Sequence, residues 1–157
     1  LAGTEASGTG NMKLMLNGAV TLGTLDGANI EIKEAAGDDN IIIFGMTTPE
    51  VNALKARGYR PEDYFNGNPV IREGIERMYH GINGCTFNDV ANSLKERDPY
   101  MVLADFDSYR NAQRYVTECY NDKMKWAKMS LNNIAGAGIF SADRAVTEYA
   151  DNIWHLR

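Results

Sequence analysis

A glycine-rich turn that leads directly into a helix-forming run is the feature that most constrains this chain. The residues from Ser7 to Gly10 place little side-chain bulk over four successive backbone N–H groups. Good helix formers follow from Met12 to Leu16. A helix that begins near Thr9 directs its free N–H groups, and the positive end of its dipole, toward whatever precedes it. The stretch therefore predicts an anion site, most naturally one for phosphate.

Lys13 extends this prediction to a ligand with two functional groups. It follows Thr9 by four residues, so both lie on one helical face about one turn (~5.4 Å) apart. Helical side chains lean toward the N-terminus, and the Lys13 amine is therefore expected to point back toward the anion. The spacing suits a ligand with a phosphate at one end and a lysine-reactive group about one turn away.

The same residues also have a simpler interpretation. Glycine-rich turns commonly precede helices, and a lysine in the first turns of a helix is commonly solvated. The stretch fits neither of the two common nucleotide loops: Lys13 stands where G-x-G-x-x-G requires glycine, and Thr9 stands where the P-loop requires lysine. Spacing alone therefore leaves open both a phosphate site and an ordinary solvated turn.

Composition is that of an ordinary globular domain and argues against several functions. The 157 residues are 44% apolar and 24% charged, which is enough for one domain with a core. A net charge of −5 without a dense Lys/Arg stripe argues against a nucleic-acid partner. Two cysteines and two widely separated histidines provide neither a disulfide scaffold nor a zinc site. We therefore expect no metal site and a reducing, cytoplasmic compartment.

Neither a membrane span nor a signal peptide is predicted. The longest strongly apolar run, Ile41–Phe44, is far too short to cross a membrane, and the first residues are small and polar. The sequence begins with Leu1 rather than Met, immediately before its richest motif. We therefore expect a fragment of a longer chain.

Secondary-structure signals alternate between short strands and helices. Strands are predicted at Ala19–Thr24, Ile41–Phe44 and Met101–Phe106, among about eight helices. The last helix is predicted to begin after Ser141. Its inner face is predicted to hold Ala142, Val146, Ala150 and Ile153. The alternation predicts an α/β fold with a small parallel sheet and many helices. Three strands are few for a parallel sheet, which favours the fragment interpretation.

Two long motifs identify a family. The stretch from Gly3 to Lys13, Gly-Thr-Glu-Ala-Ser-Gly-Thr-Gly-Asn-Met-Lys, resembles the pyridoxal-phosphate site of the α-glucan phosphorylases, that is, the glycogen, starch and maltodextrin phosphorylases. The match continues through Leu16–Ala19 and Gly23–Glu31 at the family spacing. Shorter matches extend the resemblance over essentially the whole chain, most loosely between Met46 and Arg97. They are Ile43–Gly45, Leu103–Phe106, Asn132–Ala135 and Phe140–Arg144.

The resemblance implies an activity, an architecture and a cofactor. It implies phosphorolysis of α-1,4-glucans, with orthophosphate as acceptor and glucose 1-phosphate as product. It implies a GT-B enzyme of two Rossmann-like domains, with residues 1–157 similar to the C-terminal part of the second, cofactor-binding domain. In that family the lysine matching Lys13 forms a Schiff base with pyridoxal 5′-phosphate.

The resemblance also implies roles for individual residues. Backbone at the positions matching Gly8, Thr9 and Gly10 meets the cofactor phosphate in that family. Three positions hydrogen-bond the glucosyl unit: Glu5, Ser7 and Gly8. Asp26 has two interpretations, a structural turn or cap and a ligand contact. Trp126 and Trp154 are expected in core or inter-domain packing rather than as sugar platforms.

Charge indicates that this site is incomplete within the chain. Among residues 1–40 only Lys13 and Lys33 are basic, and the cofactor occupies the lysine matching Lys13 in the family. Two neighbouring phosphates need several cations, which the family supplies from upstream sequence. We therefore expect the chain alone to be inactive and to need the N-terminal remainder of the phosphorylase.

The last helix adds an expectation about association. Its apolar face should be exposed, or buried against another copy, when the N-terminal domain is absent. This predicts a homo-oligomer. The alternative to an enzyme part is thus a non-catalytic, self-associating fragment that folds without holding the cofactor.

Overall fold

The computed structural model describes residues 1–4 and 8–156, and this part of the chain is mostly helical. Its strands are β1 (Leu22–Gly23) and β2 (Ile42–Ile43). Its α-helices are α1 (Gly10–Leu16), α2 (Ala28–Ala36), α3 (Thr48–Arg57), α4 (Pro61–Gly67), α5 (Pro69–His80), α6 (Asn88–Glu96), α7 (Val102–Asn121), α8 (Lys123–Gly136) and α9 (Ala142–Tyr149). Short 3-10 turns lie at Asp38–Asn40 and Ala137–Phe140, and a π-helical turn at Ala150–Trp154.

The two strands form a parallel pair joined by α2. Leu22 lies opposite Ile42, and Gly23 lies opposite Ile43. The Phe44 N–H donates to the Gly23 carbonyl at 3.1 Å. A helix between two parallel strands makes a βαβ unit. The predicted α/β class with a small parallel sheet is confirmed, and both strands lie inside their predicted segments.

The third predicted strand, Met101–Phe106, is wrong because this segment contains the start of α7. Asp98 explains the difference. Its carboxylate accepts hydrogen bonds from the Val102 N–H at 2.9 Å and the Leu103 N–H at 2.8 Å. These are the first amides of α7, which have no partner inside the helix. The side chain of Asp98 thus stabilises a helix where β-branched and aromatic residues favour a strand.

Three clusters of buried side chains form the core. One joins α1, α2 and the 3-10 turn after α8, and contains Met15, Ile32, Ala36, Ile41 and Ala137. The second places β2 against α7 and α8, and contains Ile42, Ala112, Cys119 and Met129. The third joins α5, α6 and α7, and contains Ile71, Ile75, Ala91 and Leu103. The first cluster is the one that supports the glycine-rich turn, since α1 belongs to it.

The apolar residues of the last helix are largely exposed, which agrees with the expected exposure of its apolar face and contradicts the prediction that they lie on a buried, inner face. Val146 is 59% exposed and Ile153 is 63% exposed, Ala142 is exposed, and Ala150 is half-buried. The helix α9 packs chiefly against the turns that precede and follow it, so these turns leave much of its apolar face uncovered. An amphipathic pattern shows which face is apolar and not whether another element covers it. Self-association through this face stays a prediction.

Candidate functional site

The candidate site surrounds α1, which is attached to the core by one buried side chain. Of its seven residues only Met15 is buried, and it is 0% exposed. The neighbouring residues Leu14 and Leu16 are 60% and 59% exposed. The helix therefore lies on the surface, with its start and its outer face open to a ligand or to another part of a larger protein.

The backbone at the start of α1 is accessible. Thr9 is the N-cap residue, and its side chain makes no capping hydrogen bond. Thr9 and Gly10 are exposed, and Gly8 is half-buried. A Cβ atom placed on Gly10 would meet no atom of the described residues within 4 Å. The first helical bond runs from the Lys13 N–H to the Thr9 carbonyl at 3.2 Å. The Gly10 backbone thus has open space around it at the start of the helix, where the first amides lack partners from the preceding turn.

Lys13 lies one turn farther along, beside a cavity of about 350 Å³. The cavity separates α1 from the start of α9. Its lining includes Met12, Lys13, Leu16, Phe140, Ser141 and Asp143. Among the described residues, no hydrogen bond or ion pair engages the Lys13 amine. A primary amine without a partner, at the edge of a cavity of this size, is suited to react with a small aldehyde.

The structure places four of the predicted site residues at the start of α1. Gly8, Thr9 and Gly10 lead into α1, and Lys13 follows on the same helix. Glu5 and Ser7 lie outside the described residues. The roles of all six toward a ligand stay predictions.

A polar turn that the sequence analysis did not assign to the site contacts the glycine-rich segment. The Asn11 amide Nδ2 donates to Asn29 Oδ1 at 2.9 Å, and the Thr4 N–H donates to Asp26 Oδ2 at 3.1 Å. The N-cap of α2 is Gly27 rather than Asp26. Asp26 instead accepts a hydrogen bond from the Thr4 backbone, and this contact favours a structural role for Asp26 in the turn. The Asp-Gly-Ala-Asn pattern signals a turn, but its partners lie 22 and 18 residues away and no local pattern identifies them.

The other basic residue of the segment is already paired. Lys33 Nζ lies 2.9 Å from Asp38 Oδ1, so its charge is balanced within the turn that follows α2. Within the cavity lining, Lys13 is accompanied by the acidic residue Asp143. The described residues around α1 thus offer one free cation, which is fewer than two adjacent phosphates require.

Asp105 is a carboxyl group near the sheet with a perturbed pKa. Burial is the main reason that its pKa is raised. Its Oδ1 accepts the Met46 N–H at 2.8 Å, and a Cβ on Gly45 would come within 2.8 Å of Oδ2. The side chain therefore fixes the chain after β2, and it lies apart from the cavity beside Lys13.

The described residues contain no group of three or more His, Cys, Asp or Glu side chains placed to hold a metal ion. No helix in the same ranges has both the length and the apolar content that crossing a membrane requires.

The sequence is similar to known proteins along nearly its whole length. A family model described as carbohydrate phosphorylase matches residues 1–156. A glycogen phosphorylase of Synechocystis sp. is 48% identical over 160 residues, which cover 99% of this chain and 19% of that relative. The muscle forms of glycogen phosphorylase from Rattus norvegicus and Homo sapiens are both 45% identical, over 159 and 157 residues. These alignments cover 99% and 98% of this chain and 19% of each relative. The chain thus spans 19% of the length of the curated relatives it matches.

Proposed function

The chain belongs to the carbohydrate phosphorylase family, and we propose that it supplies the cofactor-lysine part of the active site of an α-1,4-glucan phosphorylase. Such an enzyme cleaves α-1,4 linkages with orthophosphate and releases glucose 1-phosphate. The βαβ unit would belong to the second Rossmann-like domain of a GT-B glycosyltransferase. The observation that carries the proposal is the Lys13 amine, which pairs with none of the described residues and lies beside a cavity, one turn after an open glycine-rich backbone.

Pyridoxal 5′-phosphate fits the groups that this segment presents. Lys13 would hold the cofactor covalently through its amine. Backbone N–H groups of Gly8, Thr9 and Gly10 would bind the cofactor phosphate, because they are accessible and carry no bulky side chain. When bound, the cofactor supplies a phosphate group that exchanges protons with the substrate phosphate.

The residues before the helix would hold the sugar. In the proposed enzyme Glu5 accepts hydrogen bonds from glucosyl hydroxyl groups, while Ser7 and the backbone of Gly8 supply further polar contacts. Glucosyl transfer with retention passes through a cation-like transition state. Holding the sugar at several hydroxyls fixes its reacting carbon relative to the phosphate, which is a positioning contribution to the rate.

Charge supports the proposal that the isolated chain does not catalyse phosphorolysis. Lys33 is paired with Asp38, and Lys13 would be consumed by the cofactor. Residues 1–40 hold no further basic side chain, so the cations that balance the two phosphates would come from elsewhere in the full enzyme, since this chain spans only 19% of the length of its relatives. We therefore propose that the chain needs the rest of the phosphorylase as its partner, with an α-1,4-glucan and orthophosphate as substrates. We also propose that the complete enzyme is a cytoplasmic homo-oligomer.

The cofactor assignment can be tested by absorbance. The chain is mixed with pyridoxal phosphate, and we expect a new absorbance band from its adduct with Lys13. The band should disappear in Lys13→Ala and persist in Lys33→Ala, which removes the other basic residue of the same segment. A band of equal strength in Lys13→Ala would refute the assignment.

The activity of the complete enzyme needs a separate test. The matching segment of the Synechocystis phosphorylase is replaced with this chain, since the two are 48% identical. We expect the soluble chimera to release glucose 1-phosphate only when orthophosphate is present, and the chimera with Lys13→Ala to release none. A folded chimera that binds pyridoxal phosphate but makes no glucose 1-phosphate would contradict the proposal.

A second candidate is a non-catalytic, self-associating domain, which the exposed apolar face of α9 favours. Val146 and Ile153 are both more than half exposed, and surfaces of this kind commonly mark an interface. Sedimentation at increasing concentration would show a dimer or larger species. Self-association without any Lys13-dependent absorbance band would favour this candidate, and a monomer at all concentrations would exclude it.

A further inference from the structure

We infer that Asn29, through its hydrogen bond to Asn11, is a positioning residue for the cofactor-binding segment. We call the turn Asp26–Asn29, with its contacts to Thr4 and Asn11, the clamp. The inference rests on the proposed function, because it concerns the segment that would bind pyridoxal phosphate. It adds the element that keeps the backbone of Gly8–Gly10 at a fixed distance from Lys13.

Asn29 connects the start of α1 to the end of β1. Its Oδ1 accepts a hydrogen bond from Asn11 Nδ2, and its Nδ2 donates to the Thr24 carbonyl, each at 2.9 Å. The Asn11 Oδ1 in turn accepts the Met12 N–H at 3.0 Å. Both amide side chains are half-buried, so these bonds are less exposed to competition from water than surface bonds.

The same turn holds the chain on the other side of the glycine-rich segment. Asp26 Oδ2 accepts the Thr4 N–H at 3.1 Å, and Asn29 binds Asn11. Residues 4 and 11 are thus attached to one four-residue turn, and Gly8–Gly10 lie between them. The turn thus holds described residues on both sides of Gly8–Gly10, which limits the backbone conformations open to these two glycines and Thr9.

Two glycines leave the space that the amide side chains occupy. A Cβ on Gly23 would lie 2.6 Å from Asn29 Nδ2, and a Cβ on Gly8 would lie 3.3 Å from Asn11 Oδ1. Real Cβ atoms do not approach as closely as 2.6 Å, so Gly23→Ala must displace the Asn29 amide. This substitution perturbs the clamp from β1 without changing either of its amide residues.

The clamp should affect the affinity for ligands that attach at two points of the segment. Pyridoxal phosphate would bind to Lys13 and to the Gly8–Gly10 backbone at once, so its affinity depends on the distance between them. Pyridoxal has the same aldehyde and no phosphate, and it needs only Lys13. A merely structural role of Asn29 would change both reactions equally, whereas a positioning role changes the reaction of the phosphorylated aldehyde alone.

The test measures borohydride-trapped labelling of Lys13 by peptide mass spectrometry at limiting concentrations of pyridoxal phosphate or of pyridoxal. In Asn29→Ala and Gly23→Ala we expect labelling by pyridoxal phosphate to fall about tenfold, the effect of about 1.4 kcal/mol. Labelling by pyridoxal should change less than about twofold. Asn11→Ala removes the same hydrogen bond from the side of α1 and should give the same result. It replaces Asn29→Ala in the test if that variant does not fold.

Asn132→Ala is the matched control. It removes another hydrogen bond between two asparagine side chains, from Asn132 Nδ2 to Asn40 Oδ1 at 3.0 Å, and should leave both labelling reactions unchanged. Equal losses for the two aldehydes in Asn29→Ala, or no loss for either, would overturn the clamp alone. Absence of Lys13 labelling in the unmodified chain would overturn the proposed function and the clamp together.

Discussion

Met15 should be the side chain on which the attachment of α1 depends. It is 0% exposed and packs in the cluster that contains Ile32, Ile41 and Ala137. Replacing a fully buried methionine with alanine removes its packing and leaves a cavity, at a cost of about 2–5 kcal/mol. We expect Met15→Ala to lower the free energy of unfolding by about 3 kcal/mol, near the middle of that range.

The assay is urea unfolding followed by circular dichroism, with Leu16→Ala as the control. With a urea slope of about 2 kcal/mol/M, a loss of about 3 kcal/mol lowers the unfolding midpoint by about 1.5 M. Leu16 is the next residue of the same helix and is 59% exposed. Its replacement by alanine should change the free energy of unfolding by about 0.5 kcal/mol or less.

Similar losses of stability in the two variants would contradict an attachment of α1 through the buried side chain of Met15. Equal losses would mean that α1 packs through its outer face, or that it contributes little to the cooperative unit. A change in the urea slope of Met15→Ala alone would instead show that the surface exposed on unfolding had changed. The predicted result is a lower midpoint with an unchanged slope.

Three further predictions concern other contacts of the core. A Cβ on Gly136 would lie 2.5 Å from the Ala35 carbonyl oxygen, so Gly136→Ala should lower the free energy of unfolding by about 1–3 kcal/mol. Gly138 has open space around it, and Gly138→Ala should lower the free energy of unfolding by less than about 0.5 kcal/mol. Asp98 is 1% exposed, and Asp98→Ala should cost about 3 kcal/mol or more, because it leaves two α7 amides and the Tyr59 hydroxyl without their acceptor. Burial, followed by the hydrogen bond to Asp98, raises the pKa of Tyr59 far above its ordinary value. The stability from this raised pKa is fully present below pH about 10 and is lost as the pH rises further, and Tyr59→Phe should remove that part of the pH dependence.

The urea midpoint of each variant checks these predictions. For Tyr59→Phe and the unmodified chain, the midpoint is measured across alkaline pH. Similar midpoints for Gly136→Ala and Gly138→Ala would contradict the close approach of α8 to α2. A small loss in Asp98→Ala would mean that water replaces the carboxylate at the start of α7. Parallel pH curves for Tyr59→Phe and the unmodified chain would contradict the buried environment of the Tyr59 hydroxyl.

Local patterns predicted the elements whose signals lie within a few residues. The apolar run Ile41–Phe44 contains β2, and the change from glycine-rich sequence to helix formers at Gly10 gives the start of α1. The wrong strand at Met101–Phe106 shows where such signals fail. Its residues favour a strand, but the carboxylate of Asp98, outside that window, binds the first amides of a helix.

Long-range contacts account for the other features that the sequence did not predict. The hydrogen bond between Asn11 and Asn29 joins residues 18 positions apart, and the bond from Thr4 to Asp26 spans 22. No periodicity or turn signal identifies such partners. The apolar face of α9 and of the π-helical turn after it is a related case, since the pattern locates Val146 and Ile153 and the packing decides between an exposed and a buried position.

Lys13 is the residue that we propose holds pyridoxal phosphate. The most direct measurement is to incubate the chain with pyridoxal phosphate, reduce it with borohydride, and locate the retained label by peptide mass spectrometry. We expect one predominant label, on Lys13, that forms at lower concentration than labels on Lys33 or on the exposed lysines of the chain. Labels spread evenly over the lysines, with Lys13 no more reactive than the rest, would contradict it.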